Sequence, residues 1–352
     1  MTYNECLDKL KNGTYIIDKE GLAIRMKPIP ETDEQGAIDE RALAWERKCR
    51  PCPQPKDLKN PTMTEVKAIR AWMGCKNLDL SNGIISREEV INTTHGKIPV
   101  SVYAPSPEKT EAIVVYIHGG GFYGGTTAVV ENCCKLIAER GNAVVISVDY
   151  GLAPENKFPK GLNQCYEIVK WAYENGKALN GNPQKLVVIG DSAGGNLAAG
   201  CCILDTKGLI KLQVLLYPTV IQTKEYYDSW DENAFSMKGE TQIKKNMVYS
   251  TRLGNEMIKE VYFNCPEDAE NPLVSPLLSE ELNRMPMSMI VTAEYDALRT
   301  EAENYGRKLL NEKVDVIFYR YLGMGHAFFE HPGEFPQSED CINEICSAIR
   351  AL

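Results

Sequence analysis

The sequence predicts an α/β fold: a mostly parallel, twisted sheet with helices on both faces and a helical cap. From about residue 84 onward, short apolar segments alternate with segments of helical spacing. Two of the apolar segments, Ala112–Ile117 (AIVVYI) and Ala143–Val148 (AVVISV), are almost unbroken, as strands buried on both faces are. A third, within 185–200 (KLVVIGDSAGGNLAAG), runs from an apolar strand through a glycine-flanked serine into a small-residue helix.

The alternating part opens with strands at 84–92 and 97–104 around a His95-Gly96 turn; Ile98, Val100 and Val102 alternate along the second. This hairpin is expected at the antiparallel edge of the sheet. Ala112–Ile117 follows as an inner strand, then a helix over 129–140, the strand Ala143–Val148 and a helix over 164–175. The strand 186–189 leads into the serine turn, and strands at 211–217, 287–292 and 314–321 complete the sheet. Two stretches break this rhythm. Residues 1–83 lean helical, with a proline-rich break at 50–55, and read as an N-terminal helical cap segment ahead of a core spanning 84–352. Residues 222–265, between two core strands, are polar and aromatic, with Tyr226, Trp230, Phe235 and Tyr249 among them. A cap insertion leaving the carboxyl end of a strand is placed to roof a ligand pocket, to elaborate the packing, or to do both.

At 352 residues the chain has room for one large decorated α/β domain or two smaller ones. Its net charge of −9 argues against a nucleic-acid partner, because phosphate binding calls for basic stripes. No apolar run approaches the roughly 20 residues that cross a bilayer, and the N-terminus, MTYNECLDKLKNG, lacks the apolar core of a signal peptide. No membrane partner is expected. The twelve cysteines do not read as a disulfide framework: Cys133-Cys134 and Cys201-Cys202 are adjacent pairs within predicted helices, where a thiol acts as a small buried hydrophobe. A reduced, cytoplasmic protein is expected. Cys49 and Cys52 form a lone C-x-x-C; zinc would call for a second ligand pair and a redox site for a βαβ unit, and neither is in evidence. The acidic N-terminal segment is a candidate for contacts in a homo-oligomer.

Gly190-Asp191-Ser192-Ala193-Gly194 fits G-x-S-x-G. In a strand-to-helix setting the turn is so tight that larger neighbours of the serine would collide, and it thrusts Ser192 Oγ out beside a helix N-terminus. A serine hydroxyl is a poor nucleophile near neutral pH unless a base takes its proton. Four histidines are present. His95 lies in the hairpin turn, away from the carboxyl edge of the sheet, and His118 closes a strand and precedes three glycines. His326 sits in the glycine-rich loop GMGHAF directly after the last strand and is the position favoured for the base. His331 reads as a surface residue or as one supporting the site from behind. The base needs a carboxylate to hold its tautomer. MSMIVTAEYD runs from a strand into acids; Asp296 lies on the loop before a helix and is preferred, and Glu294, nearer the strand, is its competitor.

Attack on a carbonyl makes an oxyanion, which aimed backbone N–H groups stabilise. His118-Gly119-Gly120-Gly121 can bring bare backbone to that oxygen, and the N–H of Ala193, at a helix N-terminus, offers another donor. Gly119, Gly121 and Gly124 also match the dinucleotide pattern G-x-G-x-x-G. That fingerprint belongs at the first strand of its unit, with an acid about 20 residues further on. Here the loop follows roughly the third strand, and ordinary helix stands in place of the acid. No Lys-Ser/Thr follows the glycines, so a P-loop is excluded.

Together these residues resemble the hormone-sensitive-lipase-like esterases of the α/β-hydrolase fold. His118-Gly-Gly-Gly121, Gly190-Asp-Ser-Ala-Gly194, and Asp296-Ala-Leu-Arg299 with His326 carry the resemblance; Asp149-Tyr-Gly-Leu-Ala-Pro154-Glu155 is similar to the family's Y-R-L-A-P-E segment. The resemblance covers about residues 84–350. It implies Ser192 as nucleophile, His326 as base and acid, and Asp296 as orienting carboxylate. Gly120, Gly121 and Ala193 would be the oxyanion donors, and His118 and Gly119 would shape the loop. It further implies hydrolysis of small-molecule, short-chain acyl esters through an acyl-enzyme, with no metal or organic cofactor. Amide or lactone hydrolysis by the same triad, and a non-catalytic small-molecule receptor of the same fold, are the alternatives. Gly151 stands where the family has arginine and Ala297 where it has proline; the first is expected to loosen the loop that arginine braces.

Overall fold

The computed structural model describes residues 1–105, 110–228 and 230–352. The chain begins with α1 (Tyr3–Asn12), β1 (Tyr15–Lys19), β2 (Leu22–Lys27), α2 (Glu40–Lys48) and α3 (Met63–Trp72). The hairpin β3 (Ile84–Thr93) and β4 (Gly96–Pro105) opens the alternating part. It continues through β5 (Ala112–Ile117), α4 (Glu131–Gly141), β6 (Ala143–Val148), α5 (Lys160–Asn175), β7 (Leu186–Asp191), α6 (Ala193–Leu204) and β8 (Ile210–Leu216). Two helices, α7 (Lys224–Asp228) and α8 (Thr241–Val261), precede β9 (Met287–Tyr295), α9 (Arg299–Asn311), β10 (Val316–Gly325) and α10 (Pro336–Arg350).

The strands form one sheet in the order β1-β2-β10-β9-β8-β7-β5-β6-β4-β3. From β2 to β6 every neighbouring pair is parallel. The pairs β1–β2, β3–β4 and β4–β6 are antiparallel. The mostly parallel sheet with an antiparallel edge at β3 is the arrangement that the sequence predicts. Side chains alternate between two cores. Ile113, Val115 and Ile117 of β5 belong to a core that also holds residues of α5, α6 and α9; Ala112, Val114 and Tyr116 belong to one that holds residues of α1, α4 and α10. All six residues of β5 and all six of β6 are buried, and this two-sided burial is why both strands read as apolar runs. Burying each Val or Ile contributes about 1.5–3 kcal/mol relative to leaving it in water.

Residues 15–27 depart from the helical character expected of the first 83. They form the hairpin β1–β2, and β2 adds to the sheet beside β10, pairing Ile24 with Phe318 and Lys27 with Tyr321. Glu20 and Gly21 at its tip both have positive φ, 56° and 84°, as tight two-residue hairpin loops require. β1 is largely exposed, which leaves no buried face to enforce alternation there; in β2 the buried Leu22, Ile24 and Met26 do alternate with Ala23 and Arg25, over a run of only six residues. The helices α1 and α3 each start on a capping box, Thr2 with Glu5 and Thr62 with Glu65.

The N-terminal stretch and the 222–265 stretch touch. Arg47 pairs with Glu240 at 2.8 Å. The buried ammonium of Lys244, on α8, donates to the carbonyl of Gly36, which also accepts from the Tyr295 hydroxyl at the end of β9. Asn264 donates to the Phe158 carbonyl at 2.6 Å.

Candidate active site

Ser192 sits between β7 and α6 with φ 55°, a strained conformation of the kind that accompanies exposed nucleophiles. Its N–H donates to the Leu216 carbonyl at 2.8 Å. The flanking glycines are sterically required. A Cβ on Gly190 would lie 2.1 Å from the Gly194 carbonyl oxygen, and one on Gly194 would lie 2.0 Å from that of Ile117.

Two residues distant in sequence meet this serine. His326, just past β10, has its Nε2 2.9 Å from Ser192 Oγ and its Nδ1 2.7 Å from Asp296 Oδ2. A carboxylate oxygen accepts, so Nδ1 carries the proton and Nε2 is left to accept from the serine hydroxyl. Asp296 is fully buried just beyond β9, and its other oxygen accepts from the Leu298 N–H at 3.0 Å. Burial alone would lower the His326 pKa; the charge and hydrogen bond of Asp296 outweigh it, Asp191 adds to them, and the pKa stands above the ordinary 6.5. Glu294 is turned sideways and accepts from the Gly323 N–H at 2.8 Å.

The glycine loop passes beside the serine. Gly120 and Gly121 have φ 118° and 62°, values that favour glycine. The N–H groups of Tyr123 and Gly124 fold back onto the Gly120 carbonyl at 3.2 and 2.8 Å. Ala193 is the first residue of α6, where a backbone N–H has no acceptor within the helix. Asp191, buried behind the loop, accepts from the Tyr116 hydroxyl at 3.0 Å and from the Gly119 N–H. A Cβ on Gly119 would strike that carboxylate at 2.3 Å. Burial raises the Asp191 pKa to about 6 against these lowering contacts. The loop-shaping part of Asp191 went unread in the sequence, although it fills the second position of the serine motif. Ser192, His326, Gly120, Gly121 and Ala193 all line one cleft of ≈1510 Å³, walled by α2, α3, α8 and the 50–55 segment.

The family model of the α/β-hydrolase fold matches residues 114–330. An arylesterase of Saccharolobus solfataricus is 31% identical over 249 residues, 70% of this chain and 78% of its own. The chain belongs to the α/β-hydrolase family. Its motifs place it in the hormone-sensitive-lipase-like branch, and it is an enzyme. Further similarities agree with that placement. Arylacetamide deacetylase of Mus musculus is 27% identical over 301 residues, 69% of this chain and 75% of its own. The solved esterase of Pyrobaculum calidifontis superposes with a TM-score of 0.67 at 33% identity, over 76% of this chain and 85% of that one.

The other three histidines of the hydrolase are engaged elsewhere than at Ser192. His118 is buried, stacks on Tyr150 with ring centroids 4.5 Å apart, and donates from Nδ1 to the Gly119 carbonyl at 2.8 Å. Burial holds its pKa down to about 4, so it stays neutral. His331 is not the surface residue that was one sequence expectation. It is 4% exposed, wedged between the rings of Trp45 and Phe335 at 4.5 and 4.3 Å. Trp45 is remote in sequence and leaves no local signal of this contact, whereas Phe335 lies only four residues on. His95 lies in the β3–β4 turn, 4.0 Å from Glu167. Cys133, Cys134, Cys201 and Cys202 are buried free thiols, as expected of small hydrophobes; Cys49 and Cys52 are also free and line the outer cleft.

Gly151 does not leave its segment loose. Its N–H donates to Gln164 Oε1 at 2.7 Å, and a Cβ there would press on Asn156 and Gln164. Arg70, from α3, reaches in and donates to the Ala153 carbonyl at 2.7 Å. An arginine in a helix some 80 residues upstream carries no sequence signal of this contact. Among the described residues no helix is long and apolar enough to cross a membrane.

Proposed function

We propose that this α/β-hydrolase is a serine carboxylic ester hydrolase, with Ser192 as nucleophile, His326 as general base and acid, and Asp296 as orienting carboxylate. The carrying observation is the chain of hydrogen bonds from Ser192 Oγ through His326 to Asp296, at 2.9 and 2.7 Å. Ser192 Oγ attacks the ester carbonyl as His326 Nε2 takes its proton. Gly120, Gly121 and Ala193 donate backbone N–H groups to the oxyanion. The imidazolium, steadied by Asp296, returns the proton to the departing alcohol. Water, activated by the same imidazole, then releases the acid from Ser192. Hydroxyl, imidazole and carboxylate, with the backbone N–H groups and water, carry these steps.

Neutral His326 is the working form, and its pKa lies above 6.5 in the folded protein. The sign follows: below that pKa the protonated ring cannot accept from serine, so kcat/KM falls as pH drops through a value above 6.5. A pH–rate profile on a short p-nitrophenyl ester measures this; an acid limb below 6.5 would show that burial outweighs Asp296 at the ring.

The acyl preference is proposed from the resemblance: short chains such as acetyl and butyryl. The likeness to an arylacetamide deacetylase favours a second reading, amide cleavage by the same residues. Matched series of esters graded by acyl length, run beside the corresponding anilides, decide between them. Esters with short acyl groups are expected to turn over fastest; faster anilides support the second reading, and faster long-chain emulsions overturn the length preference.

A further inference from the structure

The helix α3 ends against the glycine loop. Its buried face, Val66 and Ile69, anchors it in the core, while Ile69, Trp72 and Met73 line the cleft. A Cβ on Gly124 would lie 2.2 Å from Met73 Sδ, so helix end and loop are in close contact. The guanidinium of Arg70 spans the gap with all three nitrogens. Nε donates to the Tyr123 carbonyl at 2.6 Å, and Nη2 to the Ala153 carbonyl at 2.7 Å. The two Nη atoms also hold both oxygens of Glu155, at 3.0 and 2.6 Å.

The two carbonyls belong to the segments that frame the glycine turn. Tyr123 lies inside the turn that closes on Gly120, and Ala153 donates its own N–H to the Phe122 carbonyl at 2.9 Å. Arg70 therefore grips the turn at Tyr123 and, through Ala153, at Phe122. Its side chain is 21% exposed, and a planar fork with fixed donor directions suits two carbonyls and a carboxylate as a lysine does not.

We propose that Arg70 is a positioning residue that sets the height of the glycine loop, so that the docking of α3 and the aim of the Gly120 and Gly121 N–H groups are one event. This rests on the assignment of those groups as oxyanion donors under the proposed function. It also means that a substrate pressing on Trp72 and Met73 steadies the donors that stabilise its own transition state.

The test compares wild type, Arg70→Ala and Arg70→Lys for kcat, KM, thermal midpoint and inhibition by an aryl trifluoromethyl ketone, whose serine adduct carries an oxyanion. Misaligning the loop is expected to lower kcat roughly 100-fold in Arg70→Ala, the scale of losing one oxyanion donor. KM should stay nearly constant, and ketone affinity should fall in proportion to kcat. Added guanidinium should restore part of both, and Arg70→Lys should lie between. If Arg70→Ala does not fold, the kcat and ketone losses of Arg70→Lys carry the test. A fall in thermal midpoint with kcat and ketone affinity unchanged overturns the proposal and leaves Arg70 as a brace for α3. A ketone that fails to inhibit wild type sinks the underlying oxyanion assignment instead.

Discussion

Ser192→Ala is expected to lower kcat on a short p-nitrophenyl ester by about 10⁶-fold, the scale on which a triad nucleophile is lost. The substitution is well suited to the question. Alanine keeps the Cβ and meets the same φ of 55°, so it adds no new backbone strain, and the Leu216 carbonyl still receives the residue's N–H. The thermal midpoint should barely move, and the loss should report chemistry alone. A fluorophosphonate should label the wild type and leave the variant unlabelled. Full turnover by the variant would refute the nucleophile, and a wild type inert to both ester and fluorophosphonate would return the receptor reading.

The second large effect is expected at Asp296. Asparagine there should cost about 10⁴-fold in kcat, the loss seen when the imidazole is held in the wrong tautomer. The local bonds say why. The Leu298 N–H faces Oδ1 of residue 296, so an asparagine would turn its oxygen to that donor and its NH₂ to His326 Nδ1. The ring would then accept at Nδ1 and carry its proton on Nε2, facing Ser192 with nothing to accept by. The pH profile should move as well. With the carboxylate charge gone, burial is the main remaining influence on His326, and burial lowers its pKa. The acid limb should shift to lower pH; one that stays in place would show that Asp296 does not set it.

What the sequence disclosed, and what it withheld, follows from the range of the interactions. The strands β5 and β6 were legible because both their faces are buried, and β7 because a serine elbow has its own steric grammar of glycines. The positions of His326 and Asp296 were legible because each directly follows a strand that ends at the same edge. Between Glu294 and Asp296 the residues alone gave only a preference; the Gly323 N–H that engages Glu294 lies on a neighbouring strand. In the hairpin β1–β2, β1 stayed hidden because a largely exposed strand carries no burial pattern, and the alternation of β2 runs over only six residues. The Trp45 side of the His331 cage and the grip of Arg70 stayed hidden because each joins residues many tens of positions apart and leaves no local spacing to read; Phe335, the other side of the cage, is four residues from His331.

The hairpin has a consequence for handling the enzyme. It seals the flank of β10, the strand that delivers His326, and its last residue Lys27 lies wholly buried against Asp340 and Glu344 at 2.9 and 2.5 Å. Trimming the first thirty or so residues would take away the cation that lies between two neighbouring acids of α10 and leave them to repel each other. It would also bare a row of unpaired main-chain donors and acceptors, a ready template for a second molecule. Shortened versions of this protein should therefore clump before they lose their chemistry.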